Sequence, residues 1–412
     1  LSGADELHAE FAQRMQGASL GLVEGNKGLY DGLALDGSNS NAALAAMLGT
    51  PVVLVIDARG MTRGIAPLIL GFQAFDRDIR IAGVILNQLG GARHERKLRA
   101  VIEHYTDVPV IGAVHHDDRM AIVERHLGLM PSNEASAARA KINAIASAVA
   151  QQVDLDRLLT IAASAPTLPD QFPSPRPQAL RAKADSDNAP IKLGIAQDTA
   201  FAFYYPADLE SLRQHGAQLI PFDTLKDAHL PQVDGLLIGG GFPEVQMQAL
   251  EANRSLRTEI HQAIEAGMPM YVECGGLMYL SRSLTWKDKR SEMVGAIPGD
   301  TVMHDRPQGR GYVKLRETGK LPWPAIAGQD HGLEIRAHEF HYSTLENVAP
   351  NLEYAYEVTR GTGIDGRRDG IVYRNVVACY THMRDVGGNN WTARFVEFVR
   401  RQRAQRRSTQ AA

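Results

Sequence analysis

Short apolar runs alternate with helical stretches along most of the chain, and the runs fall into two series. The first series occupies residues 19–23, 51–56, 81–86 and 108–113, and the second occupies residues 191–196, 218–222, 235–238 and 269–272. Runs of Val, Ile and Leu without polar alternation are typical of strands that are covered on both faces. Each series therefore predicts a parallel sheet wrapped by helices, and residues 4–15 predict a further helix.

A proline-rich segment separates the two series. Residues 164–190 contain six prolines and little periodic apolar pattern, and proline lacks a backbone donor and disrupts helices and central strands. We therefore expect a first domain at residues 1–163, a linker at 164–190 and a second domain at 191–402. From about Val302 to Tyr380 the pattern alternates and is rich in glycine, which predicts antiparallel strands in the second domain.

Composition excludes several classes of protein. The 412 residues exceed what one ordinary core accommodates, and no apolar run approaches the roughly 18 residues of a membrane span. The net charge of -3 favours neither nucleic acid nor an acidic membrane as a partner, and two cysteines cannot form a disulfide framework. The chain opens at Leu1 without a secretion signal. We expect a cytoplasmic protein whose natural beginning lies upstream.

One of the two cysteines, Cys274, stands between an apolar run and two glycines. Residues 268–273 predict a strand, Gly275 and Gly276 permit a tight turn, and residues 277–281 predict the start of a helix. A cysteine at such a turn, facing a helix N-terminus, has the surroundings of a nucleophile. A free cysteine is also commonly a small buried core residue, and the local pattern does not decide between the two.

Two further features suit a nucleophilic cysteine. A strand at residues 236–238 leads into Gly239, Gly240 and Gly241, whose backbone N–H groups, with that of Gly275, can form an oxyanion hole; the alternative is a flexible loop. The apolar run at residues 371–378 leads to His382, which we expect at another strand end. Histidine is the usual base for a thiol, although a single histidine among 14 is equally well explained as a satisfied polar residue.

The second domain resembles a class I glutamine amidotransferase, with a flavodoxin-like fold. The stretches Gly239-Gly-Gly-Phe-Pro-Glu and Glu273-Cys-Gly-Gly-Leu-Met-Tyr-Leu resemble the branch found in cobyrinic acid a,c-diamide synthases. The resemblance implies that Cys274 attacks the side-chain amide of glutamine and liberates ammonia, with His382 as base. Most class I domains add a glutamate two residues after this histidine, where this chain has Arg384. The resemblance therefore implies a Cys274–His382 dyad, with Cys379 as a packing residue.

The first domain resembles the ATP-binding half of the same synthases, a P-loop fold similar to dethiobiotin synthetase. Val23-Glu-Gly-Asn-Lys-Gly-Leu-Tyr-Asp-Gly32 resembles their Glu-Gly-x-x-Gly-Leu-Tyr-Asp-Gly motif, which implies functional roles for Glu24 and Asp31. A carboxylate at a strand end can hold Mg²⁺ on nucleotide phosphates, whereas a lone Glu-Gly pair is more often a surface turn. Asn87 ends a segment that resembles the family's adenine side, or else caps a strand.

The implied reaction is an ATP-dependent amidation. ATP phosphorylates a peripheral carboxylate of a tetrapyrrole, the a and c carboxylates in cobyrinic acid, and ammonia from the second domain attacks the acyl phosphate. The chain has no Gly-x-x-x-x-Gly-Lys-Ser/Thr loop to cradle ATP phosphates. We therefore expect a truncated P-loop domain whose first segment is missing.

Several residues are candidates for substrate contact. Lys27 stands where the diamide synthases commonly have an apolar residue, and its charge makes siroheme amidation for dissimilatory sulfite reductase an alternative function. A non-catalytic tetrapyrrole-binding module is a second alternative. Tyr30, His338 and His341 are further candidates, and the two histidines have the spacing of a metal pair without a third suitably spaced ligand. A homodimer is an open option.

Overall fold

The computed structural model describes residues 2–122, 135–167, 189–325 and 334–411. The chain forms two compact units, an N-terminal unit built mainly from residues 4–122 and 135–167 and a C-terminal unit built mainly from residues 189–411. Of the predicted linker, residues 168–188 lie outside the described part of the chain. The domain boundaries at 163 and 191 therefore stay predictions.

The N-terminal unit is a parallel sheet surrounded by helices. Strands β1 (Val52–Asp57), β2 (Ile81–Leu89) and β3 (Val110–His115) are adjacent in this order and parallel. The helices are α1 (Ala4–Met15), α2 (Asn41–Leu48), α3 (Ile65–Phe75), α4 (Ala92–Tyr105), α5 (Ala135–Ala150) and α6 (Leu155–Ala163), with a 3₁₀ turn at Asp118–Met120. The predicted helix at residues 4–15 and the strands predicted at 51–56, 81–86 and 108–113 are confirmed.

The strand predicted at residues 19–23 is wrong. These residues form an irregular segment in which the side chains of Leu22 and Val23 are 84% and 48% exposed. A strand needs a neighbouring strand to take up its backbone hydrogen bonds. Among the described residues no strand pairs with this segment, so its apolar pattern alone does not produce an extended element.

The C-terminal unit consists of a large mixed sheet, smaller sheets and flanking helices. Its strands are β4 (Ile191–Ala196), β5 (Phe201–Phe203), β6 (Ala217–Phe222), β7 (Gly235–Ile238), β8 (Gly240–Gly241), β9 (Met270–Glu273), β10 (Ser281–Trp286), β11 (Lys289–Glu292), β12 (Ile297–Met303), β13 (Gly309–Glu317), β14 (Glu334–His341), β15 (Ser343–Glu346), β16 (Glu353–Arg360), β17 (Arg368–Tyr373), β18 (Val376–Cys379) and β19 (His382–Met383). Its helices are α7 (Pro206–Gln214), α8 (Met247–Ala252), α9 (Arg254–Glu265), α10 (Gly275–Leu280) and α11 (Trp391–Ala411).

The large sheet joins a parallel half to an antiparallel half. Its strand order is β19-β14-β13-β16-β17-β18-β9-β7-β4-β6. The segment from β18 to β6 is parallel, and the remaining neighbours are antiparallel. The parallel strands follow the continuous apolar runs, and the antiparallel ones lie in the alternating region after Val302. Both predictions for this domain are confirmed.

The apolar run at residues 371–378 forms a hairpin and not one strand that leads to His382. β17 ends at Tyr373, Arg374 reverses the chain with φ 54°, and β18 continues antiparallel to β17. His382 therefore lies in the separate strand β19, three residues after β18 ends at Cys379. The turn consists of two polar residues, Arg374 and Asn375, which the prediction of a single apolar run over residues 371–378 overlooked.

Helix α11 closes the unit behind the parallel strands. Trp391, Phe395 and Val399 are buried on its inner face, and the rings of Trp391 and Phe395 lie 5.0 Å and 6.2 Å from that of Tyr271 on β9. This helix therefore supports β9, the strand that leads into Cys274. In the described parts of both units, no helix combines the length and the apolar character needed to cross a membrane.

Candidate active site

Cys274 lies at the sharp turn between β9 and α10. Its backbone adopts φ 47° and ψ -101°, a combination that a residue with a side chain adopts only when its surroundings impose it. One such constraint is the Cys274 N–H, which donates to the carbonyl oxygen of Cys379 at 2.7 Å. A strand, a strained turn and a helix in this order form the arrangement in which hydrolases present a nucleophile.

The glycine loop at residues 239–241 lies against this turn. A Cβ atom on Gly275 would lie 2.9 Å from the backbone nitrogen of Gly241. A Cβ atom on Gly240 would lie 2.6 Å from Cε1 of His382. The structure thus brings together the cysteine turn, the glycine loop and His382, which the sequence predicts as one site.

The loop glycines are required by close packing of the backbone. A Cβ on Gly241 would lie 1.8 Å from the carbonyl oxygen of Ala200, and one on Gly239 would lie 2.6 Å from that of Phe203. The N–H of Gly239 donates to the hydroxyl of Tyr204 at 3.0 Å. Gly239 is therefore already engaged, and the oxyanion prediction rests on the other three glycines.

His382 occupies β19, where it pairs with His338 of β14. His382 and Cys274 are each 7% exposed as whole residues. The Nδ1 of His382 lies 3.2 Å from Oε2 of Glu273, and the Cys274 thiol is close enough to the ring to affect its pKa. The imidazole therefore lies between the thiol and a carboxylate.

The charge state of His382 follows from these two neighbours. Burial lowers the pKa of His382, but the hydrogen bonds to Cys274 and Glu273 and the charges of both outweigh burial and raise the pKa to about 10. The imidazolium is then the favoured form at neutral pH. An imidazole held by a carboxylate beside a cysteine can exchange a proton with a thiol nucleophile, so the arrangement suits nucleophilic chemistry.

A second imidazole packs against His382. The rings of His338 and His382 stack with centroids 4.9 Å apart, and Nδ1 of His338 lies 3.0 Å from the hydroxyl of Tyr205. Burial and then the charge of His382 lower the pKa of His338 to about 4. His338 is therefore neutral at neutral pH, and it can stack on an imidazolium without charge repulsion.

Arg384 belongs to a separate cluster beside this pair. Its guanidinium lies 4.1 Å above the ring of Tyr205, and its Nε lies 3.4 Å from Oδ1 of Asp208. Burial raises the pKa of Asp208 to about 7, although Arg384 acts against this shift. The position where most class I domains carry a glutamate thus holds a cation with its own carboxylate partner.

His341 lies in the core. It is 3% exposed, its ring stacks on that of Tyr380 with centroids 4.1 Å apart, and its Nδ1 lies 2.8 Å from the carbonyl oxygen of Ser343. Its Nε2 lies 3.6 Å from the buried carboxylate of Glu339. These contacts indicate a structural role, and the substrate contact of His341 stays a prediction. The described residues contain no group of three or more side chains arranged to hold a metal ion.

The predicted ATP-site residues of the N-terminal unit lie mostly on exposed loop segments. Glu24, Lys27 and Asp31 are exposed, and a Cβ on Gly28 would lie 2.4 Å from Oδ2 of Asp31. The Asp31 carboxylate therefore lies over the backbone of Gly28. No hydrogen bond or ion pair within the described residues holds the carboxylate of Glu24 or Asp31, and their role at a nucleotide stays a prediction.

Tyr30 and Asn87 are held by the N-terminal unit itself. The hydroxyl of Tyr30 donates to the carbonyl oxygen of Phe72 at 2.6 Å, and its ring stacks on that of Phe72, so it packs on α3. Asn87 lies near the carboxyl end of β2, where its Oδ1 accepts the N–H of Gln88 at 3.0 Å. No hydrogen bond or ion pair within the described residues joins Asn87 to Glu24 or Asp31.

Sequence reasoning missed the role of Glu273. Its carboxylate is 8% exposed and accepts from the Tyr271 hydroxyl at 2.6 Å and from the Met383 N–H at 3.0 Å. One signal was available, because Glu273 is a charged residue that ends an otherwise apolar strand. Its contact with His382 depends on the path of the chain between β18 and β19, which no local pattern encodes.

The chain matches models and relatives of known families. Residues 192–386 match the model for a CobB/CobQ-like glutamine amidotransferase domain, and residues 6–121 match an AAA domain. The chain is 44% identical over 403 residues to the cobyrinate a,c-diamide synthase of Magnetococcus marinus, covering 97% of this chain and 84% of that protein. It is 39% identical over 425 residues to the protein of the same name from Methanosarcina acetivorans, covering 98% and 84%.

These matches confirm the predicted fold class, a P-loop-type parallel-sheet domain followed by a class I glutamine amidotransferase domain. The likeness extends over both units and is not confined to the cysteine and glycine motifs. The chain therefore belongs to the cobyrinate a,c-diamide synthase family of glutamine-hydrolysing carbon–nitrogen ligases.

Proposed function

We propose that the protein amidates the a and c carboxylates of cobyrinic acid, with glutamine as the nitrogen donor and ATP as the activator. The observation that carries this proposal is the 44% identity, over 403 residues, to a protein named cobyrinate a,c-diamide synthase. The buried Cys274–His382 pair supports the glutamine half of the reaction. A cytoplasmic location stays a prediction.

Glutamine hydrolysis in the C-terminal unit proceeds through a thioester. The proton shared by Cys274 and His382 lies on the imidazole, and the sulfur forms a bond with the side-chain amide carbon of glutamine, whose carbonyl oxygen becomes the oxyanion. The oxyanion is stabilised by the backbone N–H groups of Gly241 and Gly275, two residues whose backbones pack closely, since a Cβ on Gly275 would lie 2.9 Å from the Gly241 nitrogen. The same proton passes to the amide nitrogen as the C–N bond breaks, which releases ammonia, and water then hydrolyses the thioester to glutamate.

Activation of the carboxylate belongs to the N-terminal unit. A carboxylate becomes an electrophile when phosphate converts one of its oxygens into a leaving group, and we infer that this acyl phosphate is the species that ammonia attacks. Glu24 and Asp31 are exposed carboxylates of the type that binds Mg²⁺, and they would hold the ion on the nucleotide phosphates. The magnesium ion supplies charge neutralisation for phosphoryl transfer.

Mass spectrometry of the macrocycle tests the function. The complete gene product is incubated with glutamine, Mg²⁺ and ATP, and with either cobyrinic acid or siroheme; Cys274→Ser is the control. We expect two acid-to-amide conversions on cobyrinic acid that the control lacks. The exposed charge of Lys27 favours siroheme as the second candidate, and conversion of siroheme alone would establish it. Intact glutamine with neither product would indicate a tetrapyrrole-binding module.

A further inference from the structure

The side chain of Glu273 is fixed by three donors from two strands. On β9, the Tyr271 hydroxyl donates to Oε1 at 2.6 Å. From β19, the N–H of Met383 donates to Oε1 at 3.0 Å, and Nδ1 of His382 lies 3.2 Å from Oε2. Both oxygens are therefore committed, and the carboxylate cannot rotate without breaking one of these bonds.

The charge of Glu273 is balanced by the same histidine. A buried carboxylate is stable only when a cation or several hydrogen bonds compensate its lost hydration. Among the described residues, the cation within ion-pair distance of Glu273 is His382. Arg384 is directed to Asp208 and Tyr205 instead. The carboxylate and the imidazole are thus each other's principal charged partners.

The backbone explains how this pairing arises. β18 pairs in parallel with β9 so that Cys379 is opposite Glu273. Three residues later the chain enters β19, and His382 returns to the carboxylate of Glu273. Glu273, the residue that precedes the nucleophile, is therefore placed on the Nδ1 side of the imidazole. The thiol of Cys274 lies close enough to the same ring to affect its pKa.

We propose that Glu273 is the positioning residue for His382. Its carboxylate accepts a hydrogen bond from Nδ1–H of His382, and this orients the ring so that Nε2 can exchange a proton with the sulfur of Cys274. Glu273 does so in place of the glutamate that most class I domains carry where this chain has Arg384. The site is then a triad in which carboxylate and nucleophile are adjacent in sequence. This inference rests on the proposed glutaminase function of Cys274.

The test compares variants of Glu273 with a matched variant of another carboxylate, Glu265. Glu273→Gln keeps the shape of the side chain but removes its charge, and Glu273→Asp keeps the charge on a shorter side chain. Glu265→Gln is the matched control, because Glu265 also accepts from a tyrosine hydroxyl, that of Tyr373 at 2.7 Å, and pairs with a cation, Arg374. Circular dichroism establishes that each variant is folded.

The first measurement is steady-state glutamine hydrolysis. We expect Glu273→Gln to lower kcat by about 100-fold or more, with little change in KM, because the imidazole loses its orientation and not the substrate contacts. Glu273→Asp should recover part of the loss, and Glu265→Gln should match the wild type. Glutamine hydrolysis by Glu273→Gln within about threefold of the wild type would overturn the proposal.

The second measurement needs no substrate. The rate at which iodoacetamide alkylates Cys274 is followed against pH, with peptide mass spectrometry to separate Cys274 from the fully buried Cys379. The charged and titratable groups around His382 are Cys274, Glu273 and His338. We expect the midpoint of the profile to rise by at least one pH unit in Glu273→Gln and to stay unchanged in Glu265→Gln.

The two measurements separate the inference from the function on which it rests. If the folded wild type leaves glutamine intact, the proposed function fails, and the alkylation profile still decides the role of Glu273. A profile that Glu273→Gln does not move would overturn the inference, since a purely structural carboxylate would alter stability and leave the profile in place. Tyr271→Phe, which removes one donor to Oε1, should shift the profile in the same direction by less.

Discussion

At the residue scale, the geometry of the site depends on glycines that leave no room for a side chain. Gly239, Gly240, Gly241 and Gly275 each have backbone or imidazole atoms where a Cβ would stand. Cys274 adopts a positive φ that only its surroundings maintain. Close backbone packing therefore places the N–H groups and the sulfur together before any side-chain interaction is considered.

Gly241→Ala tests this packing. The new methyl group would lie 1.8 Å from the carbonyl oxygen of Ala200, and two backbone segments cannot separate without disturbing β5 and β8. We expect the free energy of unfolding to fall by about 3 kcal/mol and glutamine hydrolysis to be lost. Urea denaturation and an activity assay measure the two effects. Gly71→Ala, in α3 with nothing within 4 Å of the added Cβ, should be neutral or stabilising.

The buried carboxyl of Glu244 makes the free energy of unfolding depend on pH. Glu244 is 8% exposed, and burial raises the pKa of its carboxyl from the ordinary value of 4.5 to about 7. Between these values the folded chain keeps a proton that the unfolded chain has lost, so stability falls as pH rises. The rise in the pKa of Glu244 corresponds to roughly 3 kcal/mol of unfolding free energy that is lost as the pH rises through this range.

Glu244→Gln should remove this dependence. Relative to the wild type, the variant should gain about 3 kcal/mol of stability between pH 4.5 and pH 8, as measured by urea denaturation across that range. The exposed Glu353→Gln serves as control and should follow the wild type. Parallel curves for Glu244→Gln and the wild type would contradict the burial argument.

At the element scale, the sequence specifies strands well where several neighbours bury them. β4 spans residues 191–196 as predicted, because a continuous apolar run covered on both faces has few alternatives. The same pattern at residues 19–23 produces no strand, since no neighbouring strand receives it. The turn at Arg374 and Asn375 carries a signal, because two consecutive polar residues interrupt the apolar run, but two residues alone do not decide between a turn and an exposed part of one strand. Local pattern thus predicts burial more reliably than it predicts pairing.

Helix α11 links element packing to the site. Phe395 is fully buried in the cluster that contains Tyr271, and the Tyr271 hydroxyl donates to Glu273. Phe395→Ala should cost about 3 to 5 kcal/mol of unfolding free energy and should also slow glutamine hydrolysis, because Tyr271 gains room to move. Thermal unfolding and an activity assay check both effects. Arg401→Ala on the same helix, with its side chain 60% exposed, should change neither.

At the scale of the whole molecule, the residues that we propose to act on glutamine all lie in one unit. Cys274, His382 and the glycine loop could be predicted because each carries a local signal: a strand end, a tight turn or a glycine run. Glu273 could not, because its function arises only when β19 returns to β9. The N-terminal candidates Glu24 and Asp31 lie in the other unit, so the two halves of the reaction are chemically separable.

This separation predicts that free ammonia bypasses the thiol. Cys274→Ser cannot form the thioester, so glutamine should no longer support ATP-dependent amidation of cobyrinic acid. Ammonium chloride at alkaline pH, where more of it is unprotonated, should restore the reaction in the variant to a rate near that of the wild type with the same salt. Mass spectrometry of the product measures both. A folded Cys274→Ser that ammonia does not restore would mean that the cysteine also serves the ligase step, which would contradict the separation of the two half-reactions.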